Sequence, residues 1–143
     1  MAKNYEASNH LIADIIGLSF SKNFTVYITH PSLKNGKSIS DGKIEWGHKE
    51  EWPNYTTIYL WHEILHSYLP HDDLSHAIIQ LITDNELRIL LNGGRYPPFE
   101  GHEDLFPIMK KLLPYWKRYI VASGDKDILA FRKLMRKRVT LKN

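Results

Sequence analysis

His62, Glu63 and His66 stand in an apolar run over residues 58–69 that also holds Ile58, Leu60, Trp61, Ile64, Leu65 and Leu69. Residues four apart share a helix face, so the two imidazoles can hold one metal ion. Zinc binds neutral imidazole nitrogen at about 2.0–2.1 Å, and a catalytic zinc site typically uses three protein ligands and keeps a fourth position for water. Glu63, beside the first ligand, reaches that water rather than the metal, takes its proton and hands it to a leaving amine. The expected chemistry is metal-assisted hydrolysis with Zn2+ as cofactor. A chance match to this spacing is rare, at about 0.02 per chain of this composition. An ionised glutamate between two histidines on a partly buried face also needs a partner, which a metal supplies. The chain has no cysteine, so histidines and carboxylates are the only candidate protein ligands.

The third ligand must come from downstream. In a helix over residues 74–91 the apolar ridge runs Ile78, Ile82, Glu86, Leu90, and Glu86 falls where an apolar residue is due. Asp84 lies with Gln80 and Arg88 on what the pattern makes the solvated side. A core-facing carboxylate needs pairing or a metal, so Glu86 is the expected ligand and Asp84 is not. Asp72 is the alternative third ligand, with His71 and Asp73 behind it, although helix capping explains Asp72 and Asp73 without a metal. Tyr96, His102 and Arg95, in the loop that follows, are candidate donors to the oxyanion of a tetrahedral transition state. His10, His30, His48 and His76 have no partner at metal spacing.

His62-Glu63-x-x-His66 followed by Asn85-Glu86 resembles the gluzincin metallopeptidases, and the short chain resembles in particular the single-domain minigluzincins. The likeness covers residues 43–92. It implies a small zincin-like domain with a short sheet, an active-site helix and a glutamate helix, with His62, His66 and Glu86 as zinc ligands and Glu63 as general base and acid. Placing the third ligand at Asp72 instead resembles the metzincin pattern, with Leu69 where that pattern has glycine.

The elements that must position these residues read as α+β in one domain over 1–143. A helix over 5–16 ends at Gly17. A strand over 24–29 alternates Phe24, Val26 and Ile28 with polar residues. Residues 31–42 read as loop and 43–48 as an edge strand able to pair with an extended peptide. Asn54 is placed to cap the helix that ends before Pro70. C-terminal helices follow over 105–120 and 128–139. In the last of these, Ile128, Leu129, Phe131, Leu134 and Met135 are expected to complete the core.

The net charge of +3 hides a split. Residues 1–104, which hold the metal-site residues, carry −6, and the helical part 105–143 carries +9. At 43% hydrophobic and 24% charged residues the composition excludes a disordered chain. No run of 18 apolar residues suggests a membrane span, and no signal-peptide core appears, so a cytoplasmic location is expected. Three functions compete. The leading one is a zinc peptidase acting on peptide or protein substrates. The second is a zinc-binding protein without catalysis. The third is a module binding nucleic acid or an acidic partner through Lys110, Lys111, Lys117, Arg118 and the basic residues of the last helix, with Tyr115, Trp116 and Tyr119 between them.

Overall fold

Strand β3, Lys43–Trp46, is the centre of a three-stranded sheet in the order β1-β3-β2. The computed structural model describes residues 2–20, 22–34, 36–94 and 100–139. β1, Thr25–Ile28, runs parallel to β3, pairing Thr25 with Lys43 and Ile28 with Trp46. β2, Gly36–Ser40, runs antiparallel, pairing Ser38 with Ile44, and its register slips between Ser38 and Ser40. Two expectations are thereby corrected. The 43–48 segment supplies the internal strand, β1 and β2 are the two edges, and β2 lies inside the stretch read as loop. Its Gly-Lys-Ser-Ile-Ser sequence has one β-branched residue, Ile39, and no aromatic among the types that mark strands, and pairing to β3 holds it instead.

The helices are α1 (Ala2–Ile16), α2 (Tyr55–Leu65), α3 (Asp73–Gln80), α4 (Arg88–Asn92), α5 (Phe106–Val121) and α6 (Ile128–Arg138). Between α3 and α4 the helix continues as a π-helical segment, Leu81–Leu87, with the wider i→i+5 ladder. The protein is thus α+β. Asn54 takes the cap position of α2, but in the left-handed conformation and with no side-chain bond to the helix. Its carboxamide donates to Asn92 Oδ1 at 2.6 Å instead. Asp72 does cap α3, accepting from the Ser75 N–H at 2.8 Å.

The helix from α3 through the π segment is the axis of the main core. Every residue from 77 to 85 is buried, with α1, α2, α5 and α6 packed round it. A helix buried on all sides has no solvated face, and this overturns the two-faced reading over residues 77–85, while Leu90, placed on the apolar ridge, is exposed. At the C-terminal end, Ile128, Phe131 and Met135 are buried in that core, as expected, whereas Leu129 and Leu134 are exposed. Trp116 is fully buried too, and the Tyr119 hydroxyl donates to the Ile15 carbonyl at 2.6 Å. Both aromatics are therefore committed to packing rather than presented between the basic residues. α6 also reaches back to the start of α3, where Arg132 donates to Ser75 Oγ at 2.6 Å and pairs with Asp72. Among the described residues, no helix is long and apolar enough to cross a membrane.

Candidate metal centre

α2 presents one face to each core. Ile58, Trp61 and Leu65 enter the main cluster, while Tyr55 and Leu60 pack on the sheet with Ile44 and Trp46. His62 lies at the seam and is buried. His66 caps the C-terminal end of the helix, and the two rings are 5.1 Å apart, as the i,i+4 spacing requires. One turn into α3, His76 faces them: its Nε2 lies 3.0 Å from that of His62, and its ring is 4.9 Å from that of His66. His102 arrives from the loop before a 3-10 turn, with its ring 4.7 Å from His76. The ligating nitrogens of His62, His76 and His102 all lie within 4.8 Å of one another. His71 stacks on the far side of His66 at 5.8 Å.

These histidines and Glu63 open into one cavity of about 270 Å³, bordered by Lys37 and Ser38 of β2. A second cavity of about 290 Å³ adjoins it, sharing His62, Glu63 and His102 and continuing to Trp46, Tyr55 and Tyr59. Glu63 is fixed from the sheet side, its Oε2 accepting the Ser38 N–H at 2.7 Å.

Burial and mutual repulsion favour the neutral form of the His62, His66 and His76 imidazoles. Burial is the larger cause at each, followed by the neighbouring histidines. His62 is held well below its ordinary value, His66 is brought down to about 4, and His76 is lowered. Neutral imidazole is the form that binds a metal. The Glu63 carboxyl is pushed up to about 7 by burial, against the opposing pull of the Ser38 N–H.

The other ring nitrogen of His62 faces the π segment. Its Nδ1 lies 3.4 Å from Thr83 Oγ1 and 3.9 Å from Asp84 Oδ2. Asp84 is fully buried and is pushed up to about 7, by burial first, with Arg88, Thr83 and Tyr59 pulling the other way. Its Oδ1 has no hydrogen-bond partner among the described residues. A carboxylate behind a ligating histidine fixes the ring and its tautomer, and Asp84 stands where such a group would.

Glu86, the expected third ligand, lies elsewhere. It is half-buried, and its Oε1 accepts the Trp116 indole N–H at 2.9 Å. The ridge that pointed it at α2 assumes an unbroken α-helical period. The π segment breaks that period, and Asp84 instead takes the place beside His62. Asp72, the alternative ligand, has its carboxylate on the α3 cap and on Arg132. Tyr96 and Arg95 lie outside the described residues. His102, expected as a transition-state donor, is one of the three converging histidines instead. His76, read as having no partner, is another. The signal available in the sequence was density, since four of the eight histidines fall at 62, 66, 71 and 76. Of the remaining histidines, His30 caps a 3-10 turn through its ring, and His48 sits 3.2 Å from the Tyr55 hydroxyl.

No family model, curated protein or solved structure matches the chain. The chemistry therefore rests on the geometry.

The donor set fits zinc. Tetrahedral coordination at about 2.0–2.1 Å spaces ligand nitrogens roughly 3.3 Å apart, a value between the 3.0 Å of the His62–His76 pair and the 4.8 Å within which all three lie. Three imidazole nitrogens also suit a borderline cation better than calcium or magnesium.

Proposed function

We propose that this chain is a zinc-dependent hydrolase that cleaves peptide bonds, with Glu63 as general base and acid. His62, His76 and His102 would hold the ion. His66 stands beside them, and Asp84 and Thr83 lie behind His62. The observation that carries this reading is that the Glu63 carboxylate opens into the same cavity as the converging imidazoles. Zinc, when bound, supplies Lewis acidity and brings water within reach of deprotonation near neutral pH.

The chain's own groups do the rest. Glu63, poised near 7, suits a group that must both accept and return a proton near neutrality. The Ser38 N–H keeps its carboxylate aimed into the cavity rather than folded against α2. Lys37 and Ser38 of β2, with Tyr55 and Tyr59 in the adjoining cavity, form the walls along which a substrate chain would lie.

Zinc analysis and peptide cleavage on the same preparations test the reading. Wild type should carry about one zinc per chain. Glu63→Gln should keep the metal and lose cleavage by roughly 10²–10⁴-fold. Loss of zinc in that variant would make Glu63 a ligand and sink the assignment. A second reading, a metal-stapled protein without hydrolysis, draws on one observation: the His66 ring lies 5.1 and 4.9 Å from those of His62 and His76, so four imidazoles could close the site. That reading gains if zinc is bound and no peptide library is cut.

A further inference from the structure

We propose that Gln80 is a positioning residue for His102, one buried carboxamide holding the loop that delivers this imidazole to the cluster. The inference rests on the reading of His102 as a metal ligand. Gln80 ends α3 and is fully buried in the middle of the apolar core. An unpaired amide there would be costly, and an aliphatic residue would fill the space as well. Its polar partners explain its presence. Oε1 accepts the His102 N–H at 2.6 Å. Nε2 donates to the His102 carbonyl at 3.4 Å and to Met109 Sδ at 3.1 Å. Because the amide's donor and acceptor lie in one rigid plane, a single side chain fixes His102 through both of its backbone groups.

The residue before it completes the seat. Gly101 has φ +93°, and a Cβ there would stand 2.8 Å from Gln80 Oε1 and 3.1 Å from Asp84 Oδ2. Only a residue without a side chain lets the loop settle on these two groups at that φ. Gln80 and Asp84, four residues apart across the start of the π segment, therefore serve two different histidines. Asp84 stands behind His62, which is local to α2. Gln80 holds His102, which lies 22 residues away in sequence and is exposed. A ligand on an exposed loop loses its place unless a rigid element sets its backbone, and a misplacement of about 1 Å is enough to weaken a site of this kind.

The test is a double-variant cycle read in zinc affinity, by competition with a chromogenic chelator, and in the visible spectrum of the cobalt-loaded protein. The four proteins are wild type, Gln80→Met, His102→Ala and the pair. Methionine keeps the volume and apolar contacts of Gln80 and removes both hydrogen bonds. Gln80→Met should weaken zinc roughly 10- to 100-fold and shift the cobalt spectrum, while the melting temperature of the metal-free protein moves little. In the His102→Ala background the same substitution should change affinity no further, since coupled residues are not additive. An equal loss in both backgrounds, or full affinity in Gln80→Met beside a weakened His102→Ala, overturns the clamp and leaves the zinc reading standing. Full zinc affinity in His102→Ala overturns both. If Gln80→Met does not fold, Gly101→Ala, whose Cβ pushes the loop off Gln80, enters the same cycle with the same outcomes.

Discussion

The two walls of the histidine cluster are built on opposite principles. On α2, His62, Glu63 and His66 owe their relative placement to a single helical turn, and any sequence that makes this helix puts the three groups together. On the opposite wall, His76, Gln80 and Asp84 follow one another along a helix and its π segment, His102 comes from a loop, and packing brings these elements to α2. The first wall is local and would survive much rearrangement. The second exists only in the finished fold.

Substitutions can break or sharpen that contrast. The largest effect is expected at the seam: His62→Ala should bring zinc from about one per chain to below about 0.2, measured by elemental analysis after dialysis, whereas Glu86→Gln should leave zinc content unchanged. Glu86→Gln should instead lower stability by about 1 kcal/mol in urea titration, because it weakens the charged acceptor of the Trp116 indole. The reverse outcome would restore Glu86 as the ligand and undo the account of the second wall.

Next in size is Asp84→Asn, which should weaken zinc roughly 10- to 100-fold. It should also change the pH response of the metal-free protein. The folded pKa of Asp84, about 7, lies above its ordinary value of 3.8, so the folded state binds the proton more tightly than the unfolded state. Its contribution is therefore favourable when protonated and is lost as pH rises from about 4 to 7. The melting temperature of the metal-free asparagine variant relative to wild type should rise across that window. A constant difference would mean that Asp84 is not held protonated.

The smallest effect is expected farthest from the cluster. Arg132→Met should cost about 1 kcal/mol by removing bonds to Ser75 and Asp72, with a few-fold loss of zinc affinity as the first turn of α3 loosens under His76. Metal affinity higher than wild type would instead show that α6 restrains the site rather than braces it.

The same contrast explains what could be read from the sequence. The α2 motif, the β1 strand, the Asp72 cap and the burial of Ile128, Phe131 and Met135 follow from short-range spacing, and the structure has them. Glu86 was misread because the helical period was carried through Leu81–Leu87, where the ladder widens. Asp84 and Gln80 were misread as solvated because a polar residue in a helix ordinarily marks its outer face, and this helix has none. His76 and His102 were missed because their partnership is made by packing α3 and the His102 loop against α2, for which no spacing rule exists. β2 was missed because pairing to β3, rather than its own residues, makes it a strand.

Arg132 has one more consequence, in the order of events during synthesis. The chain emerges N-terminus first, at about 5–20 residues per second, so the α2 motif is available to fold long before α6 exists. α3 is capped by Asp72 from the start, but the bonds that brace its first turn, and the Phe131 and Met135 surfaces that close the core round it, come from residues more than 50 positions later. While the chain is growing, His62 and His66 are a two-histidine fragment with no rigid second wall. The second wall of the cluster is therefore braced only after the residues of α6 have been made and packed, so the two walls are set at different times in the growth of the chain.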